Sequence, residues 1–301
     1  MIGVKKMKLT IFTPTYNRKE FLEGLYESIV SSFENCSSRD TIEWLIVDDG
    51  STSDIESIVR EFSKSSSFPI VFKRKRNGGK HTAFNCAIKE ASGELFVCID
   101  DDDRLTENAL KDIFIIARKY ENTKYVGYVG RVVDENNCLL GKTLKTPFES
   151  NTIEVRDKLG YWGEPEVFLT KELKNYSFAE IENEKFLTEA YVFDVMSKGN
   201  RFIYENVPLM VKKFYAGGLT DNQLKIRIES PKGCYLYYKQ RYALTKGIFF
   251  KIKTRLNKLR FGLWITDKEF KENNKRDIAD YLFLIPAYFI YMKDKNYYHN
   301  L

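Results

Sequence analysis

The stretch VCIDDDDRL, Val97–Leu105, runs from an apolar strand directly into four consecutive aspartates. A run of charges is often a solvated loop, so the surrounding sequence has to decide what this one is. Carboxylates held a few Å apart repel by roughly 1 kcal/mol per pair in water, and by several-fold more beside an apolar strand. A bound cation removes that repulsion, and clustered carboxylate oxygens suit Mg²⁺ or Mn²⁺. The run is therefore a candidate metal site.

The sequence on both sides of this run alternates between predicted strands and predicted helices. Apolar segments predict five strands with the turns that end them: KLTIFTPTYN, IEWLIVDDGS, PIVFKRK, ELFVCI and YVGYVGRVVD. Between them, apolar residues recur at helical spacing. Asn17 with Glu20, and Ser53 with Glu56, match capping boxes at two helix starts. Near-continuous apolar strands separated by helices predict an α/β fold with a mostly parallel sheet, covered by helices on both faces.

Ligands of such sheets bind outside the carboxyl ends of the strands. The segments TPTYN, VDDGS and DDDD follow the first, second and fourth strands, so we expect them to meet in one crevice. The usual phosphate motifs are missing. The first turn reads TPTYNR where a dinucleotide fold has GxGxxG, Arg74 stands where a P-loop needs glycine, and Lys80 precedes His81. The glycine-rich signature of sugar-activating nucleotidyltransferases is also missing. The pattern indicates a nucleotide-like ligand held by aspartates, aromatic residues and a metal.

The composition is that of an ordinary globular protein, with 43% hydrophobic and 30% charged residues among 301. The five cysteines form no CxxC pair, which argues against a disulfide framework and a structural zinc site. Only two histidines are present, so we expect any general base to be a carboxylate. The N-terminal segment MIGVKKMKLTIF has no apolar stretch long enough for a signal peptide, and we expect a cytoplasmic protein.

Four motifs in order, TPTYNR, IVDDGSTS, NGGKHTAFN and IDDDDRL, resemble those of glycosyltransferase family 2 enzymes with the GT-A fold. The resemblance covers roughly the first 135 residues. It implies a Rossmann-like central sheet and transfer of a sugar from a nucleoside diphosphate donor to a hydroxyl acceptor, with Mn²⁺ or Mg²⁺ at the diphosphate and inversion at the anomeric carbon. Uridine is the commonest donor base in the family, so a UDP-sugar is expected. The QxxRW motif of processive relatives is missing, so we expect single additions.

The resemblance also implies roles for individual residues around the first two turns. Asp48 is expected to accept a hydrogen bond from the base, although its neighbour Asp49 could instead cap the DDGS turn. Lys80 is expected to face the nucleotide. Contacts to base and ribose are expected from the first turn, through Thr13, Pro14 and Tyr16. For Thr13, packing at a strand end is an equal alternative.

Within the aspartate run, the family pattern places Asp102 as the metal ligand. Asp100 is expected near the ribose, or reaching the metal through water. Asp101 falls in the variable slot and is expected to contact the donor, and Asp103 is an additional carboxylate. Because four aspartates stand in a row, this register is open by one residue.

The family's general base is an Asp or Glu beyond the metal motif, at the start of a helix. Glu189 fits this position, since it follows Thr188 and precedes a segment with helical apolar spacing. A glutamate in a first turn also stabilises a helix through its dipole, so the residue needs no catalytic role to be there. Glu184 is the alternative base.

We expect a GT-A domain over 1–225, with a nucleotide-binding half over 1–135 and an acceptor half over 136–225. The segment 226–301 is expected to form a basic, aromatic-rich helical extension. Residues 239–260 carry eight Lys or Arg and no acid. Such a helix can pack normally or lie on an anionic membrane from the cytoplasmic side, and the aromatic residues could form a homodimer interface. YLFLIPAYFIYM is too short to span a membrane. A glycine-rich loop at 216–222 is expected either to close over the donor as a lid or, equally, to be a plain turn.

Taken together, the motifs and the resemblance predict a metal-dependent, inverting glycosyltransferase; a bacterial origin and a pathway are implied by the resemblance alone. The enzyme would add one sugar to a glycan or lipid-linked glycan during surface polysaccharide assembly. Nucleic acid is not an expected partner, because the net charge of +6 is modest and no binding module is recognisable. Two alternatives stay open: a catalytically silent protein that binds a nucleotide sugar or a partner protein, and a nucleotidyltransferase.

Overall fold

The computed structural model describes residues 5–37, 39–143, 145–160, 164–199, 201–213 and 222–299. The chain forms two compact units: a first unit of Met1–Ser177 and Met196–Phe214, and a second unit of Phe178–Val195 and Tyr215–Leu301. The expected division into a domain over 1–225 and an extension over 226–301 stays a prediction. The expected glycine-rich lid lies outside the described residues, apart from Asn222.

The first unit contains a central sheet and the helices that accompany it. Its strands are β1 Lys8–Thr15, β2 Thr41–Asp48, β3 Ile70–Arg74, β4 Leu95–Cys98, β5 Arg104–Leu105, β6 Gly127–Val133, β7 Phe148–Ser150, β8 Glu166–Leu169 and β9 Phe202–Val211. Its helices are α1 Lys19–Glu34, α2 Ile55–Ser65, α3 Lys80–Glu90, α4 Ala109–Lys119, α5 Thr152–Glu154 and α6 Thr170–Leu173. A π-helical segment, Val155–Leu159, continues α5. All five strands predicted from the sequence are present.

Among the described residues the strands are ordered β3-β2-β1-β4-β8-β6-β9-β5, with β7 paired to β9. The first four strands are parallel, as predicted. The sequence did not predict β8, which lies antiparallel between β4 and β6. The mixed α/β fold is confirmed, but over the part of the chain that the structure describes the parallel pairing is limited to the first four strands and to β6 with β9.

The first strands are apolar along their whole length because helices cover both faces of the sheet. Three apolar residues on both faces of β1 are fully buried: Leu9, Ile11 and Phe12. Helix α1 contributes Leu22 and Leu25 to the core that contains Leu9 and Ile11. The aspartates lie at or just beyond the carboxyl ends of β2 and β4.

Both predicted capping boxes are wrong. Helix α1 begins at Lys19 without a side-chain cap, and Asn17 has a left-handed backbone with φ of 55°. The Asn17 side chain instead accepts a hydrogen bond from the backbone N–H of Thr52 at 2.8 Å. Helix α2 is capped by Asp54, one residue after the predicted Ser53. The amide of Asn17 therefore joins two loops, a contact that local sequence patterns do not predict.

The regular elements in the described residues of the second unit are helices, as expected for the C-terminal part of the chain. Its helices are α7 Ala190–Met196, whose last residue belongs to the first unit, α8 Gln223–Glu229, α9 Pro231–Leu244, α10 Ile248–Gly262, α11 Lys268–Asn273, α12 Ile278–Tyr281 and α13 Leu284–His299. None of the helices in the described residues has the length and apolar character needed to cross a bilayer.

A buried carboxylate, Glu43, links the amino ends of three strands in the first unit. It is 5% exposed and accepts hydrogen bonds from Thr10 Oγ1 at 2.6 Å and the Ser92 N–H at 2.8 Å. Lys8 Nζ lies 2.8 Å from its Oε2. Burial would raise the pKa of Glu43, but the hydrogen bonds from Lys8, Ser92 and Thr10 outweigh it and lower the pKa to about 2.

We expect Glu43→Gln to reduce the free energy of unfolding by about 2 kcal/mol at neutral pH. Because the folded-state pKa lies below the unfolded value, this stabilisation is full above about pH 4.5 and is lost as the pH falls toward about 2. Urea unfolding of both proteins at several pH values measures it. Glu94→Gln is the control, since Glu94 forms only a half-exposed pair with Lys5 and should change stability little. A difference between wild type and Glu43→Gln that did not shrink in acid would contradict the assignment.

Candidate active site

Three loops of the first unit meet at one edge of the sheet. The parallel register places Thr15, the last residue of β1, beside Asp48, the last residue of β2. It places Phe12 beside Cys98 of β4, and the Ile99 N–H donates to the Phe12 carbonyl at 2.9 Å. The segments after β1, β2 and β4 therefore leave the sheet side by side, as the sequence predicted.

The aspartate run forms a cluster of three carboxylates. Asp100, Asp102 and Asp103 offer oxygens that all lie within 4.8 Å of one another. The Asp103 N–H donates to the Asp100 carbonyl at 3.1 Å, and this turn brings the first and last aspartates to the same side. Three hard oxygen donors at this spacing fit a divalent cation such as Mg²⁺ or Mn²⁺. Asp102, the predicted ligand, is in the cluster, and Asp103 joins it.

Asp101 points away from this cluster and binds the end of β1. It is 3% exposed, accepts a hydrogen bond from Thr15 Oγ1 at 2.9 Å and lies 3.2 Å from Arg18 Nη1. Burial raises the pKa of Asp101 to about 7, although Arg18 and Thr15 favour its charged form. Both carboxylate oxygens of Asp101 already have partners within the protein. The expected contact of Asp101 with the donor stays a prediction.

Two basic side chains stand among the carboxylates. Lys80 Nζ lies 2.7 and 2.8 Å from the two carboxylate oxygens of Asp100, and Arg18 pairs with Asp102. Burial would raise the pKa of Asp100, but Lys80 holds it below its usual value. Burial and the charge of Asp100 raise the pKa of Asp103 to about 7. The opposing shifts of Asp100 and Asp103 show a crowded acidic site in which a further positive charge would be stabilised.

The position of Lys80 depends on the glycine before it. Gly79 is the N-cap of α3 and has φ of 91°, a backbone conformation that other residues rarely adopt. Lys80 is then the first residue of the helix, beside Asp100. The predicted placement of Lys80 at the site is therefore found in the structure, and its contact with a nucleotide stays a prediction.

Asp48 closes the loop that follows β2. It is fully buried, accepts a hydrogen bond from the Ser51 N–H at 2.9 Å and lies 3.2 Å from Arg74 Nε. The sequence offered Asp49 as a possible cap of this turn, and in the structure Asp48 caps it. The carboxylate of Asp48 thus holds the loop. The expected hydrogen bond between Asp48 and a donor base stays a prediction.

Asp49 has a different partner, the NGG loop before α3. Its carboxylate accepts hydrogen bonds from the N–H groups of Gly78 at 3.0 Å and Gly79 at 2.7 Å. Lys75 Nζ lies 2.6 Å away. Asp49 therefore fixes the loop that positions Lys80.

The first turn differs in part from its prediction. Thr13 is fully buried, and its Oγ1 accepts a hydrogen bond from the Trp44 indole at 3.0 Å. Its side chain packs inside the sheet, so the expected contact of Thr13 with base and ribose is replaced by the packing alternative. Pro14 is half-buried, and Tyr16 is 44% exposed. Of the three residues, Tyr16 has the most surface available to a ligand.

Sequence reasoning missed Arg18, Lys75 and Asn17, which hold the site together. Arginines and lysines are usually solvated, and nothing local marks these two as different. Arg18 meets Asp102 across 84 positions of sequence, and Lys75 meets Asp49 across 26. The one signal for Arg18 is that it ends the motif TPTYNR.

The two candidate bases lie in the second unit. Glu184 accepts hydrogen bonds from the N–H groups of Lys232 and Gly233, each at 2.8 Å, and so caps the start of α9. This structural role occupies both of its carboxylate oxygens. Glu189 is half-buried at the start of α7, where its carbonyl accepts from the N–H groups of Val192 and Phe193 at 3.1 Å. Glu189 therefore stays the predicted base, and Glu184 is a cap.

Comparisons with solved structures support the fold. The structure is similar to Staphylococcus aureus TarS in complex with UDP-GlcNAc, with a TM-score of 0.57 and 15% identity over 96% of this chain and 81% of that one. It is also similar to the mannosyltransferase PcManGT from Pyrobaculum calidifontis in complex with GDP-Man and Mn²⁺, with a TM-score of 0.56 and 15% identity over 98% and 84% of the two chains. These likenesses confirm the predicted GT-A type of fold.

Sequence comparisons identify the family. A Campylobacter jejuni protein, GalNAc(5)-diNAcBac-PP-undecaprenol β-1,3-glucosyltransferase, is 29% identical over 196 residues, which are 61% of this chain and 56% of the relative. Staphylococcus aureus TarS is 28% identical over 106 residues, 35% of this chain and 18% of the relative. The matches thus span between a fifth and about half of these relatives' lengths. The model of glycosyl transferase family 2 matches residues 10–205, more than half of the sequence, and the chain belongs to that family.

Proposed function

We propose that the protein transfers one sugar from a nucleoside diphosphate sugar, a UDP-sugar, to a hydroxyl of a glycan or lipid-linked glycan, with Mn²⁺ or Mg²⁺ as cofactor. The observation that carries this proposal is the convergence of Asp100, Asp102 and Asp103 at the carboxyl edge of a parallel sheet. A diphosphate and a divalent ion are complementary to such a site.

The family members that resemble this chain support the same substrate class. TarS has been crystallised with UDP and with UDP-GlcNAc, and PcManGT with GDP-Man and Mn²⁺. The Campylobacter relative is named for an undecaprenol-diphosphate-linked glycan acceptor. A nucleoside diphosphate sugar, a metal and a lipid-linked acceptor therefore all occur among similar proteins.

In the proposed complex, Asp100, Asp102 and Asp103 hold the divalent ion, which supplies positive charge to the diphosphate leaving group. Lys80 and Arg18 lie beside these carboxylates and add two fixed positive charges near the same place. Tyr16 offers an exposed ring next to the first turn, suited to stacking on a base. The side chains of Asp48 and Asp49 fix the two loops that border the nucleotide.

The proposed reaction is a displacement at the anomeric carbon. The acceptor hydroxyl oxygen forms a bond to that carbon while the bond from the carbon to the diphosphate oxygen breaks, and the configuration inverts. The Glu189 carboxylate takes the hydroxyl proton, a role worth about a hundred- to ten-thousand-fold in rate. The products are the glycoside and the nucleoside diphosphate.

The first test concerns the metal. We expect Mn²⁺ together with UDP to raise the melting temperature by a few degrees, and to do so only when both are present. Asp102→Asn should lose this shift and release UDP from UDP-sugars at least about a hundredfold more slowly. Glu107→Gln removes an exposed acid from a nearby loop and is the matched control.

Three results would count against the proposal. If Asp102→Asn still showed a metal-dependent rise in melting temperature, the assignment of Asp102 as a metal ligand would be wrong. Release of pyrophosphate from nucleoside triphosphates would indicate a nucleotidyltransferase. Binding of the nucleotide with no turnover of any donor and acceptor would favour a catalytically silent protein.

The second test is the pH dependence of metal binding. Asp103 has a pKa raised to about 7, and a protonated carboxyl must lose its proton before it binds a cation. We therefore expect the affinity for Mn²⁺, measured by calorimetry, to increase severalfold between about pH 6 and about pH 8. Asp103→Asn should bind more weakly and with a smaller pH dependence. A wild-type affinity that stays constant over this range would contradict the role of Asp103.

The third test separates the two glutamates. Glu189→Gln should lower kcat by about a hundredfold or more while leaving donor binding and the melting temperature close to wild type. Glu184→Gln should lower the melting temperature and leave kcat close to wild type, because it weakens two hydrogen bonds at the start of α9. Single-turnover kinetics and calorimetric melting measure both. Near-normal kcat in Glu189→Gln would exclude it as the base.

A further inference from the structure

Helices α12 and α13, with the turn that joins them, carry six exposed apolar residues that we call the apolar stripe. They recur at the spacing i, i+3, i+4, i+7, i+10 and i+11, which places them along one side of a helical path. Each is between 50% and 90% exposed: Ile278, Tyr281, Leu282, Ile285, Tyr288 and Phe289. Isolated exposed apolar residues are ordinary, but six in one row form a contiguous apolar surface, which on a protein often marks an interaction site.

The opposite side of the same two helices is packed within the second unit. Asp280, Ala287 and Asp294 recur every seven residues and are at most 4% exposed. Asp280 Oδ2 lies 2.7 Å from Lys258 Nζ, and Asp294 Oδ1 accepts a hydrogen bond from Arg260 Nη2 at 2.7 Å. These ion pairs fix which side of α12 and α13 faces α10, so the apolar stripe is held outward.

The ion pairs also give the basic segment 239–260 a structural role. The sequence offered this segment as the membrane-binding helix, but Arg255 and Lys258 of α10 are buried and pair with Asp277 and Asp280. Three of its eight basic residues, Arg255, Lys258 and Arg260, therefore fasten α12 and α13 to α10. A longer exposed apolar surface lies on α12 and α13.

Positive charge nevertheless predominates in the part of the chain that carries the apolar stripe. Residues 226–301 contain sixteen Lys or Arg and seven Asp or Glu, a net charge of +9, whereas the whole chain carries +6. Lys275, Arg276 and Lys293 are exposed residues just before or within the two helices that carry the stripe. The acids Asp277, Asp280 and Asp294 are engaged with α10 and do not compensate these cations.

We propose that the apolar stripe docks on the surface of an anionic lipid bilayer, with the helices lying in the plane of the interface. Aliphatic and aromatic side chains would enter the headgroup region while the flanking lysines and arginine contact lipid phosphates. A second copy of the chain fits less well, because two such surfaces would bring like charges together. The proposal does not depend on the donor or metal assigned to the first unit.

The test is co-sedimentation of the full-length protein with sucrose-loaded vesicles. We expect binding to phosphatidylglycerol-containing vesicles, at least tenfold weaker binding to phosphatidylcholine alone, and progressive loss with salt. Ile285→Glu should weaken binding roughly tenfold, while Ile115→Glu, at a half-exposed position on α4, should leave it unchanged. Lys293→Glu should weaken it at low salt, with the exposed Lys111→Glu as its control.

Thermal melting verifies that each variant is folded. The proposal is overturned if the wild type does not bind anionic vesicles, or if Ile285→Glu binds them as well as the wild type does. It is also overturned if sedimentation velocity shows a dimer that Ile285→Glu dissociates while no variant binds vesicles, since the stripe would then be a contact between copies. UDP-sugar turnover on a soluble acceptor should be unchanged in Ile285→Glu, which separates this proposal from the proposed catalysis.

Discussion

The repulsion among four adjacent carboxylates at the end of β4 is the constraint on which the site depends. The protein meets it by giving the aspartates different partners: Lys80 for Asp100, Thr15 and Arg18 for Asp101, and Arg18 again for Asp102. Those partners come from the first turn and from the start of α3, so the separate loops must all be in place for the acidic edge to form. The charge that is left over makes the edge a place for a cation.

The aspartates of the second loop show how scaffolding and function share residue types. Asp48 and Asp49 stand next to each other, yet one closes its own turn and the other holds the NGG loop 29 or 30 residues away. A buried carboxylate that accepts backbone N–H groups fixes a loop as firmly as a helix cap does. The acidic residues of this motif therefore hold the loops of the site in place, whether or not they also contact a ligand.

The sequence predicted the first half of the fold because the first strands are buried on both faces and read as continuous apolar segments. It could not predict β8, since a four-residue strand has little periodicity and its antiparallel pairing is set by distant partners. Ordered motifs identified Asp100, Asp102 and Lys80. They could not decide the direction of each side chain, which a turn from Asp100 to Asp103 determines, nor the burial of Thr13 under Trp44.

Asn17 illustrates what such long-range contacts do for a binding site. Its amide accepts hydrogen bonds from Thr52 and Ser53, so the first and second loops are joined by the protein itself. A ligand entering the crevice would find its walls already assembled and would lose little binding free energy in ordering them. Rigidity of this kind also favours selectivity, because a ligand of the wrong shape cannot be accommodated by a rearrangement of the walls.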